Sequence, residues 1–197
     1  MFTGIIEAAG KILSIEKEGS NLNFWIESTL SKELKIDQSV AHNGVCLTVV
    51  ALGENSHKVT AVQETILKTN LGLLSPGSII NLERCMLANG RFDGHIVQGH
   101  VDDTAMCTQI IDQQGSWLFY FKLNQKQQQN LVVSKGSICI NGVSLTVIDT
   151  TEDGFYVTII PYTFEHTQFG SLKTGDSVNI EFDILGKYIL KQLESRA

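Results

Sequence analysis

Apolar and polar residues alternate in short runs along this chain, and small-residue turns separate the runs. Period-two alternation marks strands, because successive side chains on a strand point to opposite faces. The pattern predicts strands over 10–15, 22–27, 39–41, 45–50, 58–62 and 79–83, with one short helix over 64–71. A second series follows over 104–111, 117–122, 137–140, 143–149, 155–160 and 178–182. Turn clusters such as Glu18-Gly19-Ser20 and Gly53-Glu54-Asn55-Ser56 divide the strands. Many short strands with no long helices between them predict an all-β chain, folded as antiparallel sandwiches or barrels. A barrel also removes exposed strand edges. The tail over 184–194 is the one long helical pattern, with Leu185, Tyr188, Ile189 and Leu193 on one side. So short a helix is marginal alone. It is expected to dock, either on a barrel or on its copies in partner chains.

The two series are one series repeated. Asn43-Gly44-Val45-Cys46-Leu47-Thr48-Val49 returns as Asn141-Gly142-Val143-Ser144-Leu145-Thr146-Val147, an offset of 142 − 44 = 98 positions. The same offset pairs Ser39 with Ser137, Thr65 with Thr163, Gly72 with Gly170, Asn81 with Asn179 and Glu83 with Glu181. A gapless offset held over that distance is a tandem duplication. In each copy Asn-Gly signals a tight hairpin turn, and the Val-x-Leu-Thr-Val that follows reads as a strand. Cys46 and Thr48 then share one face, as do Ser144 and Thr146, opposite an apolar face. Within the string one position changes chemistry: Cys46 in the first copy, Ser144 in the second.

The 197 residues therefore divide into a first unit over 1–86, a connecting segment over 87–97, a second unit over 98–184 and a tail over 185–197. Each unit is large enough for its own core. Apolar residues make up 43%, which excludes a disordered chain, and no run is long enough to span a membrane. A net charge of −6, with scattered Lys and Arg, argues against nucleic acid as a partner. The four cysteines, Cys46, Cys85, Cys107 and Cys139, have no metal-type spacing. The opening Met-Phe-Thr-Gly-Ile-Ile lacks the basic and apolar regions of an export signal, so a cytoplasmic location is expected.

Long strings carry a resemblance. MFTG at the start, 39–49, 64–72, 94–102, 135–147, 160–167 and 178–188 are similar to the riboflavin synthase family, in its duplicated-barrel, α-chain form. The resemblance implies two tandem, similar six-stranded antiparallel Greek-key barrels plus a short C-terminal helix, assembled as a homotrimer. It also implies a reaction of two 6,7-dimethyl-8-ribityllumazine molecules. One donates a four-carbon unit to the other, giving riboflavin and 5-amino-6-(ribitylamino)uracil without cofactor or metal. The 7-methyl carbanion of one lumazine, delocalised into its ring, would attack the partner. Two similar half-sites could hold both molecules in fixed orientation, which can supply roughly 7–11 kcal/mol in favourable cases. Donor and acceptor differ in role, so the half-sites must differ, as Cys46 and Ser144 do. Family members build the productive site between the first barrel of one subunit and the second barrel of its neighbour. Lumazine synthase is a further partner to consider.

Residue by residue, the resemblance implies catalytic roles for Cys46, His100, Ser144, Thr146 and Asp183. Substrate contacts are implied in the first copy at Gly4, Ile5, Ile6, Ser39, Cys46, Leu47, Thr48 and along Thr60, Ala61, Val62, Gln63, Glu64 and Thr65. In the second they fall at Gly99, His100, Val101, Lys135, Ser144, Leu145, Thr146, Ile160, Pro161, Tyr162, Thr163, Phe164 and Glu165. His100 follows Gly99, which aligns with Gly4, so it is placed in the site near Ser144, and His95 is read as structural. Asp183 reads either as a helix N-cap before Leu185 or as a polar member of the Ser144 cluster. Tyr162 and Asn141 depart from the commoner family residues.

Two other classes compete. A non-catalytic lumazine- or flavin-binding antenna protein shares the duplicated fold, but such proteins erode the second-copy string and the histidine segment, both intact here. A flavin reductase barrel would carry an Arg-x-(Tyr/Phe)-(Ser/Thr) string, which neither Arg84-Cys85-Met86 nor Arg91-Phe92-Asp93 matches.

Overall fold

The computed structural model describes residues 1–195. Residues 196 and 197, the end of the expected tail unit, lie outside the described residues. The first copy forms β1 (Ala8–Glu18), β2 (Asn21–Glu27), β3 (Ser39–His42), β4 (Val45–Leu52), β5 (Ser56–Ala61), the short helix α1 (Gln63–Lys68) and β6 (Ile79–Arg84). The second forms β7 (Asp103–Asp112), β8 (Trp117–Leu123), β9 (Ser137–Ile140), β10 (Val143–Thr150), β11 (Gly154–Ile159), α2 (Pro161–His166) and β12 (Ser177–Phe182), and α3 (Ile184–Glu194) ends the chain. Each copy closes into an antiparallel barrel. The hydrogen-bonded order is β1-β2-β5-β4-β3-β6 in the first, and the equivalent strands follow the same cyclic order in the second.

Closing so small a sheet requires bends at fixed places, and bulges supply them. The first strand of each barrel shifts register between Ile12 and Ser14 and between Cys107 and Gln109. The fourth shifts between Val49 and Ala51 and between Val147 and Asp149. Both bulges thus recur at their repeat-equivalent positions. The apolar face of each predicted strand turns inward. Ile12, Phe24, Ile26, Val40, Val49, Val59 and Leu82 fill the first barrel, and Phe119, Phe121, Ile138, Val147, Phe155, Val157 and Phe182 fill the second.

The expected helix over 64–71 is broken in two. Thr69 ends α1 by donating its hydroxyl to the Thr65 carbonyl (2.7 Å) while accepting from Leu71 N–H (3.3 Å), which starts a 3-10 turn over Asn70–Leu73. Thr167 does the same with Thr163 and Phe169. α2 was not expected from the periodicity, since six residues are too few to display it. Val62 and Ile160, read as strand ends, instead precede these helices with exposed side chains.

The Asn-Gly turns join the barrels. A Cβ on Gly44 would lie 2.7 Å from the Gly142 nitrogen, and one on Gly142 would lie 2.8 Å from the Gly44 nitrogen, so only glycine permits the approach. Around this contact the amides are reciprocal. Asn81 Nδ2 donates to the Asn141 carbonyl (2.9 Å), and Asn179 Nδ2 donates to the Asn43 carbonyl (2.8 Å). Asn70 N–H donates to Asn179 Oδ1 (2.6 Å), and its repeat equivalent, Gln168 N–H, donates to Asn81 Oδ1 (2.8 Å). The barrels are thus related by a pseudo-twofold axis through the two turns.

Two core positions differ in kind. His42 and His57 are fully buried in the first barrel, where the second carries Ile140 and Phe155. His42 Nδ1 lies 3.0 Å from the Val40 carbonyl, His42 Nε2 lies 2.9 Å from His57 Nε2, and His57 Nδ1 lies 2.8 Å from Ser31 Oγ. With both rings neutral, as burial favours, every contact is satisfied. His42 then donates from Nδ1 to the carbonyl, His57 donates from Nε2 to His42, and Ser31 donates to His57. Burial pushes His42 down to about 3 and His57 to about 4. Because the folded values are depressed, the unfolded chain takes up these protons first, and stability is lost as pH falls below about 6.5. Between pH 6 and pH 5 the two rings together should cost about 2 kcal/mol of unfolding free energy. Urea titrations at the two pH values check this, and the double variant His42→Ile/His57→Phe should flatten the slope.

Candidate active site

The outer faces of β3, β4 and β6, and of β9, β10 and β12, carry the polar residues of the repeat. Ala41 pairs with Cys46 on one side and Glu83 on the other, and Ser39 pairs with Thr48. In the second barrel Cys139 pairs with Ser144 and Glu181, and Ser137 pairs with Thr146. Alternation therefore sets Cys46 and Thr48 outward in one barrel and Ser144 and Thr146 outward in the other. Cys85 and Asp183 continue β6 and β12 at equivalent positions.

Two short segments cross between the barrels and cover these faces. Phe2 and Val97 pair with each other (N···O 2.7 and 3.1 Å), and each leads into one crossing. Along the first, Glu83 accepts from Thr3 N–H (2.7 Å), Thr3 Oγ1 (2.9 Å) and Gly4 N–H (3.0 Å). The Gly4 carbonyl then accepts from Ser144 N–H in the opposite barrel (2.7 Å). Along the second, Glu181 accepts from the N–H groups of Gln98 (2.6 Å), Gly99 (2.8 Å) and His100 (2.9 Å). The Gly99 carbonyl accepts from Cys46 N–H (2.9 Å). Both glycines have positive φ, and a Cβ would lie 2.6 Å from Ser144 Cβ at Gly4 and 2.5 Å from Cys46 Cβ at Gly99. Burial pushes both glutamate carboxyls up, while the N–H donors pull them down.

This crossing corrects the expected grouping of Ser144 with His100. His100 follows the segment that covers Cys46, and its side chain is exposed. His95, read as structural, is the histidine at Ser144: its Nδ1 lies 2.7 Å from Ser144 Oγ. Burial pushes His95 below its ordinary value, against the raising effect of Asp183. A neutral ring with an unprotonated Nδ1 accepts the Ser144 proton, so the pair can move a proton. Gly94 lets the segment lie this close, since a Cβ there would come within 2.9 Å of Ser144 Oγ. Asp183 serves as the N-cap of α3, with Oδ1 accepting from Leu185 N–H at 3.0 Å. This is the N-cap reading of Asp183; towards His95 it acts only through its charge, raising that ring's pKa.

Cys46 is half-buried, and burial pushes its thiol up despite a hydrogen bond from Ser39 that pulls it down. At neutral pH it is a thiol, a poor nucleophile. Beside this face lies a cavity of about 640 Å³ lined by Ile5, Ser39, Glu83, Arg84 and Cys85, among others. Ile6 packs on the second core and Val101 on the first, following the crossings. Leu47 and Ala61 face the first core and Leu145 packs against the second, so these three present mainly backbone outward. Thr60 donates to Asn23 Oδ1 (2.6 Å). Gln63 opens α1 beside Glu64, whose carboxylate pairs with Lys68 (3.0 Å). Thr65 and Thr163 lend their carbonyls to the helix-ending threonines. Lys135 is exposed in the turn before β9. Ile160, Pro161 and Tyr162 lie at the exposed start of α2, with Tyr162 stacked on His166, and Glu165 is exposed further along it. Phe164 stacks on Trp117 at 3.8 Å. Among the described residues, no group of three or more His, Cys, Asp or Glu could hold a metal ion, and no helix is long and apolar enough to cross a membrane.

The family model for the lumazine binding domain matches residues 3–85 and again 98–183. Curated riboflavin synthases are similar over nearly the whole chain. The protein from Actinobacillus pleuropneumoniae is 45% identical over 190 residues, covering 96% of this chain and 88% of the relative. The chain belongs to the riboflavin synthase family. Family members from Bacillus subtilis and Escherichia coli are 42% and 36% identical, covering 98% and 93% of this chain and 90% and 87% of theirs. Among solved structures, LumP complexed with riboflavin superposes with a TM-score of 0.84 at 25% identity, covering 92% of this chain and 99% of LumP. LumP complexed with 6,7-dimethyl-8-(1'-D-ribityl) lumazine gives 0.83 at 23%, covering 92% and 98%, a likeness of fold.

Glu83 and Glu181 were visible in the repeat as a matched acidic pair, but their task was not. His95 had no such signal, because it lies in the connecting segment. The environment of Cys46 gives a direct check. Its alkylation rate, followed by peptide mass spectrometry against pH, should reach half-maximum above the ordinary cysteine value. A midpoint below that value would show an activated thiolate.

Proposed function

We propose that the protein is a riboflavin synthase that converts two molecules of 6,7-dimethyl-8-ribityllumazine into riboflavin and 5-amino-6-(ribitylamino)uracil. Atoms and electrons balance between the two lumazines, so the step calls for no external oxidant or reductant. The first barrel, over 1–86, and the second, over 98–184, each bind one lumazine, joined by 87–97. The observation that carries this reading is the inequality of two otherwise equivalent faces. One offers Ser144 hydrogen-bonded to His95 with Thr146 beside it, the other the protonated thiol of Cys46 with Thr48. A dismutation needs such a pair, because identical substrates must play different parts. Ser144 and His95, supported by Asp183, handle proton transfer and nucleophile addition on the second barrel. Cys46 and His100 belong to the face that holds the other lumazine. Lys135, Glu64, Thr65, Tyr162 and Thr163 contact the ribityl chains and ring edges.

The antenna reading draws only on likeness of fold to LumP, at 23–25% identity. Identity of 36–45% to riboflavin synthases supports the enzyme. The site is completed between subunits of a homotrimer in the cytoplasm. Supporting the trimer, α3 turns Leu185, Tyr188, Ile189 and Leu193 outward, each about 60–70% exposed. Such a stripe needs a partner surface.

Purified protein mixed with the lumazine should form riboflavin and the uracil in equal amounts, and tight binding without turnover would favour the antenna. Under single-turnover conditions Ser144→Ala should lose about 100-fold or more, the scale of a removed acid–base partner. Cys46→Ser should lose less than about tenfold if the thiol only packs against substrate. The reverse order would move the chemistry to the first barrel. Separately, truncation before Gly186 should shift the mass in solution towards monomer, and an unchanged mass would show that the barrels associate without α3.

A further inference from the structure

Glu83 and Glu181 are 4% and 3% exposed, on the outer faces of β6 and β12, and the mechanism above uses neither. Each holds three donors of a crossing segment, and each segment hands its next carbonyl to the other barrel. Gly4, through its N–H and its carbonyl, joins Glu83 of the first barrel to Ser144 N–H of the second. Gly99 joins Glu181 of the second barrel to Cys46 N–H of the first in the same way. A carboxylate is the natural group here, since it only accepts, and charge-assisted bonds to several N–H groups hold a backbone tightly. The positive φ of each glycine and the absence of a Cβ let each carbonyl reach the opposite strand at a spacing that a side chain would block.

We propose that the two glutamates are positioning residues wired crosswise: Glu83 sets the geometry of the Ser144 half-site, and Glu181 sets that of the Cys46 half-site. The inference rests on reading those faces as half-sites. Neither carboxylate needs to touch substrate. Glu83 fixes Gly4, which anchors the backbone of Ser144, and that serine must meet His95 at 2.7 Å. Events at one half-site are thereby transmitted to the other within a single chain, through one glycine residue in each direction. A ligand that displaces Gly99 at Cys46 pulls on Glu181 in the barrel that carries Ser144.

Amide hydrogen exchange in the full-length protein reads the wiring at its contacts. In Glu83→Gln, exchange of Ser144 N–H should rise roughly tenfold or more, the scale of a lost charge-assisted hydrogen bond, while Cys46 N–H stays within about twofold. In Glu181→Gln the pattern should invert. Core amides of Val59 and Val157 serve as reference for global opening. Should each variant loosen its own barrel's strand, or should both sites rise together with the core amides, the crosswise assignment is overturned and the glutamates are merely structural. Thr3→Val removes one of the Glu83 contacts without a buried charge change. It should raise Ser144 exchange less and spare Cys46, so the test survives a Gln variant that does not fold. Lumazine turnover is measured alongside. An inactive parent protein that keeps the crossed exchange pattern would overturn the synthase reading alone, and an active one that lacks it would overturn the wiring alone.

Discussion

The backbone contact between Gly44 and Gly142 is the constraint on which the molecule depends. Two hairpin turns meet with a spacing that no side chain permits, and asparagine amides from each barrel satisfy the backbone of the other. Buried amides that exchange hydrogen bonds reciprocally fix a unique orientation, because any slip would strand polar groups away from water. The arrangement is almost exactly repeated about its axis. It departs where Gln168 accepts from Asn141 Nδ2 at 2.7 Å, whereas the shorter Asn70 leaves Asn43 Nδ2 and its own Oδ1 without a protein partner.

From that axis the faces follow. Strands β4 and β10 leave the paired turns at once, so Cys46 and Ser144 begin close to the axis and point outward. Segments that run between the barrels must pass over them, and each is caught by a glutamate on one side and a strand N–H on the other. The divergence then becomes chemical. Ser144 meets a neutral histidine that feels the charge of Asp183; Cys46 is itself a raised thiol, beside Ser39 and a second cysteine, Cys85. A duplicated fold supplies two similar binding faces, and substitution at a few equivalent positions gives them different acid–base character.

The cores diverge too. The first barrel keeps a chain of neutral histidines and a serine where the second has aromatic and aliphatic packing. Such a network holds only while every member is satisfied, which ties the first barrel to a pH range that the second does not share. The barrels are alike in topology and unlike in what holds them together.

Much of this was legible in the residues. The duplication, the hairpin turns, the strand positions and the outward pairs Cys46/Thr48 and Ser144/Thr146 all follow from local rules, a gapless offset and a period of two. Ser28, Thr69 and Thr167 end up as side-chain caps of short helical turns, as their type favours. What the chain order concealed is which segment lies on which barrel. His100 precedes β7 and opens the second copy in chain order, yet its segment covers the first barrel, and His95, five residues earlier, reaches Ser144. Crossing connections are decided by contacts distant in sequence, such as Thr3 with Glu83 and Gly99 with Cys46, and no local periodicity encodes them. The same holds for the tail: its apolar stripe was plain from spacing, but only the packed chain showed that α3 turns that stripe outward rather than onto its own barrel.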